Sequence, residues 1–270
     1  MSSIRVACQT YTWEMLGEAW TGSVDDLLIW IAESRYAGIE ITNNMIREYA
    51  DRPRDFAVAL ERHNLQLAAF AYSAPSGFTD ASAWDSDIAG AVRTIDFLTH
   101  FTEPRLGLGG AASPTSDTRR HKLDQAIRFY NEAGRLAIAR GVSANVHPHS
   151  HFGSLLESAD DYQYLIDRLD PAVVSFGPDT GHIVRGGQDL LQCLSTHLGR
   201  ITHLHLKDAT ADHTWIGLGE GMCDFRGVFA LLEANGYTGW VVAEEESETA
   251  RRNGIHAIHW NRSYLRSLGY

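Results

Sequence analysis

Histidines recur at every second position in two parts of the chain. His147, His149 and His151 alternate in one segment, and His203 and His205 alternate in another. Residues two apart on a β-strand lie on the same face, so each set points its imidazoles in one direction. Because imidazole binds metals and titrates near neutral pH, both segments are candidates for metal binding or proton transfer.

Two further segments carry carboxylates. Asp179 and His182 follow a short β-rich segment, and Glu244 begins an acidic run after another. With the two histidine segments they make a mixed set of nitrogen and oxygen donors, which suits Mn²⁺, Zn²⁺, Co²⁺ or Fe²⁺. Later in the acidic run, Glu246 and Glu248 fit a solvated loop. The four segments predict a divalent-metal site if the fold brings their ends together.

The elements that would position these residues alternate regularly. Short β-rich segments are followed by longer amphipathic ones, the pattern of repeated βα units in a parallel sheet. Strands are predicted at residues 4–10, 38–42, 65–72, 105–108, 142–147, 173–177, 201–206 and 240–244. Helices are predicted at residues 24–37, 54–63, 86–100, 119–140, 158–169, 188–198, 224–235 and 254–268.

Eight such units in 270 residues predict an α/β fold of the (β/α)8 TIM barrel type, which usually has about 250 residues. No linker interrupts the pattern, so residues 1–270 are expected to form a single domain. A doubly wound sheet is the alternative, but it would normally carry a glycine-rich turn after its first strand, and residues 9–13 (QTYTW) contain none. A TIM barrel carries its chemistry at the carboxyl ends of the strands, where the four segments end.

The composition limits the partners and the compartment. The formal charge of −11 disfavours binding to nucleic acid and to anionic membranes. The chain has three isolated cysteines, no apolar signal core and no apolar run long enough to cross a membrane. We therefore expect a cytoplasmic protein that binds neither nucleic acid nor membrane.

The second half of the chain resembles a known superfamily. DTGH at 179–182, RITHLHLKD at 200–208, GLGEG at 217–221 and the stretch at 236–244 are similar, in this order, to the sugar phosphate isomerase/epimerase superfamily of xylose isomerase-like TIM barrels. GIEI at 38–41 extends the resemblance to the second strand. The His-rich stretch at 149–154 resembles inosose dehydratases, whereas sugar epimerases carry glutamate there.

The resemblance implies a divalent metal ion, with Mn²⁺ expected first and Co²⁺, Zn²⁺ or Fe²⁺ as alternatives. Strands five to eight would each supply one ligand, and these fall on His149, Asp179, His205 and Glu244. His147 competes with His149 for the fifth-strand position, because strand boundaries inferred from sequence err by about two residues.

The resemblance also implies which residues meet the substrate. Those expected to act in catalysis are His151, His182 and Lys207, with either histidine as base and Lys207 holding a substrate oxygen. Those expected to contact the substrate are Trp13, Glu40 and Phe152, with the aromatic rings stacking on a sugar. Two residues have a structural alternative: Lys207 as an ion-pair partner of Asp208, and Trp13 as a packing residue.

The reactions of the superfamily begin with removal of a proton next to a carbonyl or hydroxyl. Because the fifth strand offers histidine where ketose 3-epimerases place a second glutamate, elimination is favoured over epimerisation. We therefore expect a metal-dependent carbon–oxygen or carbon–carbon lyase that acts on a keto-inositol or an oxidised sugar or glycoside, including C-glycoside cleavage of 3-oxo-glucosides.

A ketose 3-epimerase-like sugar isomerase/epimerase is the alternative function. An endonuclease IV-like DNA repair enzyme and a non-catalytic sugar-binding protein are weaker alternatives, the former because the net charge is acidic. The expected partner is a small sugar or cyclitol, with association into a homo-oligomer or with a small accessory subunit left open.

Overall fold

The computed structural model describes residues 4–113, 118–150 and 153–270, in which strands and helices alternate. The strands, numbered β1 to β10, are Arg5–Gln9, Gly38–Thr42, Gln66–Tyr72, Arg105–Gly109, Ser143–His147, Ser175–Phe176, His203–Leu206, Asp208–Ala209, Trp215–Ile216 and Trp240–Ala243. The α-helices, numbered α1 to α11, are Tyr11–Glu14, Val24–Glu33, Pro53–Arg62, Trp84–Leu98, Arg119–Ile138, Ala159–Ile166, Thr180–Arg185, Leu190–His197, Phe225–Ala234, Glu248–Arg252 and Gly254–Ser267. None of the helices in these ranges is both long and apolar enough to cross a membrane.

Eight strands form one parallel sheet that is almost closed into a barrel. Their order is β6-β5-β4-β3-β2-β1-β10-β7. Between the two end strands, isolated bridges join Phe176 to Ile201 and Asp179 to His205. The predicted (β/α)8 barrel is confirmed.

Each predicted strand and helix has a counterpart in the structure, but several short elements were not predicted. Helices α1, α7 and α10 follow β1, β6 and β10, and β8 pairs with β9 in a small antiparallel hairpin after β7. Elements this short contain no full period of hydrophobic residues, so the sequence pattern does not reveal them. They all lie at the carboxyl end of the barrel.

Two helices begin with reciprocal capping. Ser23 and Asp26 form a capping box at the start of α2, and Ser158 and Asp161 form one at the start of α6. Each box satisfies backbone N–H groups that have no partner within the helix. These caps fix where the two helices begin after the preceding loops.

The strands bury both of their faces, and β7 shows the contrast between them. Leu204 and Leu206 belong to the apolar core that includes the helices. His203 and His205 instead contact Glu40 inside the barrel. The alternation of β7 therefore directs its imidazoles to the barrel interior, as the period of a strand requires.

Candidate metal centre and substrate cavity

A cavity of about 890 Å³ opens at the carboxyl end of the barrel. Strand ends contribute Glu40, His147, His205 and Glu244 to its lining. Residues from other strands, loops and short helices complete it and include Tyr11, Tyr72, Ser76, Gly110, His149, His182, Arg185, Trp215 and Glu246. TIM barrels carry their active sites on this face.

Four buried side chains bring ligand atoms together at this end of the barrel. His147 ends β5, Asp179 precedes α7, His205 lies on β7 and Glu244 follows β10. One nitrogen or oxygen atom from each lies within 4.8 Å of those from the others. Two imidazoles and two carboxylates at this spacing suit a single divalent transition-metal ion.

The His147 ring is held in the tautomer that a metal ligand needs. Its Nδ1 donates a hydrogen bond to the carbonyl oxygen of Gly177 over 2.9 Å. Its Nε2 is buried and has no hydrogen-bond partner among the residues that the structure describes. Burial and the neighbouring His205 lower the pKa of His147 to about 3, so the ring is neutral near pH 7. The ring therefore offers the lone pair of Nε2.

Asp179 has one bonded and one orphaned carboxylate oxygen. Oδ1 accepts the backbone N–H of His182 over 2.8 Å, which makes Asp179 the N-cap of α7. Oδ2 is buried without a hydrogen-bond partner in the described ranges. Burial outweighs the nearby Lys207 cation and raises the pKa of Asp179. Because unpaired buried polar atoms cost free energy, the orphaned atoms of Asp179 and His147 fit a site that a cation completes.

His205 lies between two carboxylates. Its Nδ1 is 2.5 Å from Glu244 Oε2, and its Nε2 is 3.0 Å from Glu40 Oε1. Burial disfavours the imidazolium, but Glu40 and the hydrogen bond with Glu244 outweigh it and raise the pKa of His205 to about 10. The protonated ring supplies the positive charge that these carboxylates require, so the surroundings favour a cation.

Lys207 contacts the acidic run that follows β10. It is 1% exposed, and its Nζ donates to Glu244 Oε1 over 2.8 Å and to Glu246 Oε1. Burial opposes the ammonium charge, but Glu244 and Glu246 outweigh it and raise the pKa of Lys207. The ammonium orients two carboxylates that follow the neighbouring strand, and its expected contact with a substrate oxygen stays a prediction. Glu246, for which the sequence suggested a solvated loop, lines the cavity.

The tautomer of His182 depends on the loop after β5 and on Lys207. The backbone N–H of Ser150 donates to His182 Nδ1 over 2.8 Å and favours a proton on Nε2. The Lys207 ammonium, which only donates, lies 3.2 Å from Nε2 and favours a proton on Nδ1, where the Ser150 hydroxyl lies 2.9 Å away and can accept it. Burial and the Lys207 cation hold the pKa of His182 well below its usual range. His182 is therefore a neutral ring at the cavity wall, and its expected role as a base stays a prediction.

Trp215 is a residue of the cavity wall that was not predicted from the sequence. The centroid of the Trp215 ring lies 4.9 Å from that of the His182 ring. The Arg185 guanidinium lies 4.8 Å from the same Trp215 centroid. A side chain at position 181 would leave no room for the Trp215 ring, because a Cβ added to Gly181 would lie 2.9 Å from the indole. The available signal was a tryptophan in the loop that follows the HLHLKD motif.

Asp208 holds the loop that carries Trp215 and does not pair with Lys207. Its carboxylate accepts the backbone N–H groups of Gly219, Gly221 and Cys223. These bonds anchor the GLGEG segment to the start of β8, so the motif that resembles the superfamily has a structural role here.

His149 lies beside the cluster of four ligand atoms, and His147 takes the fifth-strand position in it. The centroid of the His149 ring is 4.6 Å from that of His147 and 5.2 Å from that of His182. The cluster therefore favours His147, the alternative that the sequence left open, as the fifth-strand ligand. The physical reason is that β5 ends at His147, so His149 already belongs to the loop.

The expected substrate-contacting residues have three different outcomes. Trp13 is 3% exposed and stacks on Trp30 with ring centroids 5.7 Å apart, so it packs against α2. Tyr11, in the same short helix as Trp13, lines the cavity instead. Glu40 lines the cavity, but both of its oxygens accept hydrogen bonds from side chains of the barrel interior. His151 and Phe152 lie outside the described residues.

The fold and the four donors define a TIM barrel with a candidate divalent-metal centre. The chain belongs to the xylose isomerase-like TIM barrel family, which it matches over residues 28–268.

Two curated relatives are named inosose dehydratase. The protein from Geobacillus thermodenitrificans is 34% identical over 161 residues, which cover 53% of this chain and 53%, about half, of that relative. The protein from Clostridium tetani is 26% identical over 268 residues, which cover 87% of this chain and 86% of that relative.

A solved structure of the IolI protein with bound zinc has a TM-score of 0.81 and 13% identity to this chain. The superposition covers 98% of this chain and 97% of that one. At this level of identity the likeness shows the fold alone.

Proposed function

We propose that this protein is a divalent-metal-dependent lyase that acts on a keto-inositol or an oxidised sugar or glycoside. The observation that carries the proposal is the set of four buried donors, His147, Asp179, His205 and Glu244, at the end of a cavity large enough for such a polyol. The likeness to inosose dehydratases over most of the chain supports a dehydratase reaction.

The four donors are the residues that would hold the ion. Mn²⁺ is the first choice, and Co²⁺, Fe²⁺ and Zn²⁺ suit the same mixture of imidazole and carboxylate. Bound there, a divalent cation supplies Lewis-acid polarisation of a carbonyl and its neighbouring hydroxyl. Orientation and proton transfer then depend on the chain's own residues.

His182 is proposed to orient the substrate. As a neutral imidazole it donates from Nε2, and a neutral histidine of this kind polarises a carbonyl without carrying a charge. For proton abstraction we propose two candidates: His151, which the sequence suggests, and Glu246, whose carboxylate lines the cavity. Lys207 holds Glu246 in place, because its buried ammonium binds one of the carboxylate oxygens.

Elimination is the favoured outcome. Epimerisation needs a second acid or base on the opposite face of the reacting carbon, where ketose 3-epimerases use a fifth-strand glutamate. In this chain the fifth-strand residue among the four donors is His147, and its Nδ1 is committed to the Gly177 carbonyl. In an elimination, the one group that takes the proton from carbon can return it to the leaving group on the same face, so that water or the aglycone departs and no second acid or base is needed.

Product analysis in D₂O tests the proposal. Protein loaded with Mn²⁺ is incubated with a keto-inositol, a 3-oxo-glucoside and free ketoses, and products are followed by NMR. An unsaturated product is expected from one of the first two, and none from the Asp179→Asn variant, which lacks the carboxylate charge. Deuterium-labelled ketose stereoisomers without any elimination would instead assign the protein to the sugar isomerases and epimerases.

A further inference from the structure

Glu40 is a buried carboxylate that joins three side chains inside the barrel. It is 2% exposed. Its Oε1 accepts a hydrogen bond from Gln9 Nε2 over 2.9 Å and lies 3.0 Å from His205 Nε2. Its Oε2 lies 2.6 Å from His203 Nε2 and 3.2 Å from His205 Nε2. Glu40 on β2 thus bridges β1 and β7 across the interior.

The direction of these hydrogen bonds fixes the orientation of His205. An ionised carboxylate only accepts, so the Nε2 atoms of both histidines must carry protons. His205 therefore presents Nδ1 to the opposite side, where it meets Glu244 Oε2. Nδ1 is the atom of His205 that a metal ion would bind, in place of the proton that Nδ1 shares with Glu244.

We propose that Glu40 is a positioning residue for the metal centre: it holds the His205 ring so that Nδ1 points at the ion, with Nε2–H donated to Glu40. This role rests on the proposed function and replaces the expected contact with substrate. Carboxylates that accept the second N–H of a ligating histidine orient the ring and raise its basicity as a ligand.

His203 and Gln9 keep Glu40 in place. The His203 ring is 1% exposed, and its centroid lies 5.4 Å from that of His205. Gln9 is anchored in turn, because its Oε1 accepts the backbone N–H of Tyr11 over 3.1 Å. The orientation of one ligand on β7 therefore depends on residues of β1 and β2, which are distant in sequence.

Metal affinity tests the role without any measurement of activity. Mn²⁺ and Zn²⁺ are titrated into metal-free protein against a chelating dye. Glu40→Gln is expected to weaken binding about 10- to 100-fold, the loss typical of such outer partners. The matched control is Glu245→Gln, which alters a buried glutamate that bonds Asn261 and the backbone of Ser247 and should change affinity less than about threefold.

A second measurement needs no variant. In ¹⁵N-labelled wild-type protein loaded with Zn²⁺, His205 should show a protonated Nε2 and a metal-bound Nδ1. Ligation through Nε2, or affinity of Glu40→Gln equal to that of wild type, would overturn the positioning role while leaving the proposed function intact. Wild-type protein that binds neither ion would overturn both. Metal binding that depends on Glu40, in a protein without lyase activity, would support the positioning role and refute the lyase.

Discussion

The backbone N–H of Ser150 donates to Nδ1 of His182 over 2.8 Å, while the Lys207 ammonium lies 3.2 Å from Nε2 of the same ring. Both groups only donate, so the Ser150 contact favours a proton on Nε2 of the neutral ring and the Lys207 contact favours one on Nδ1. Ser150 belongs to the loop after β5, and His182 belongs to α7. The loop after β5 and Lys207 therefore compete to set the tautomer of His182.

The first prediction separates a donor from a base at His182. The side-chain amide of His182→Gln still offers an N–H, so turnover should fall less than about tenfold. His182→Leu offers none and should lose about 100-fold or more. Steady-state kinetics with Mn²⁺, together with metal analysis, would check this. Equal, large losses in both variants with the ion still bound would mean that the ring acts as a base.

The second prediction concerns the fifth-strand ligand. His147→Gln removes the orphaned Nε2 and should weaken Mn²⁺ binding more than about 100-fold, since even outer partners of ligands cost up to that much. His149→Gln, two residues further on, is the matched control and should retain most of the affinity. Isothermal titration of both variants checks the assignment, and the reverse order of losses would restore His149 as the ligand.

The third prediction concerns the stability that depends on Lys207. Lys207→Met leaves Glu244 and Glu246 without their buried cation, so the free energy of unfolding of the metal-free protein should fall by about 3–5 kcal/mol. Arg252→Ala breaks an exposed pair with Glu248 and should cost less than about 1 kcal/mol. Urea unfolding measures both, and similar small losses would show that Lys207 is not paired as described.

The fourth prediction is a pH dependence with a defined sign. Burial outweighs Glu40 and lowers the pKa of His203 to about 4. Below about pH 6.5 the unfolded chain binds a proton at this residue that the folded protein excludes, so His203 destabilises the fold as the pH falls towards about 4. The His203→Gln variant lacks this pH-dependent destabilisation.

The loss of unfolding free energy caused by His203→Gln should therefore be about 2 kcal/mol smaller at pH 5 than at pH 7.5, because each pH unit below about 6.5 is worth about 1.4 kcal/mol. Urea unfolding of the metal-free wild type and variant at the two pH values measures the difference. An equal loss at both would mean that folded His203 titrates like an ordinary histidine.

The fifth prediction assigns Trp215 to substrate binding. Trp215→Leu removes an aromatic face from the cavity and should raise KM about 3- to 10-fold, the value of one aromatic contact, with bound metal unchanged. Trp13→Leu is the control, because Trp13 packs on Trp30 and should lower the melting temperature without raising KM. An increase in KM for Trp13→Leu alone would restore the expectation that Trp13 meets the substrate.

Much of the fold and part of the site could be predicted because the signals are local. The periods of two and 3.6 residues reveal strands and helices within a single segment, and their alternation implies the barrel. Asp179, His205 and Glu244 could be assigned to one site because each lies at a strand end, and all strand ends share one face of a barrel. The short helices and the β8–β9 hairpin could not, because they contain too few residues for a period.

The sequence by itself determined the barrel, the face that carries the chemistry and three of the four grouped donors. Only the tertiary structure shows that His147 and not His149 lies in the group of four, because a shift of two residues keeps a side chain on the same face of a strand and moves it only about 7 Å along the axis. It also decided the partners of Glu40, since the contact with His203 joins residues 163 positions apart across the barrel interior. Such contacts follow from closure of the sheet, which no local pattern records.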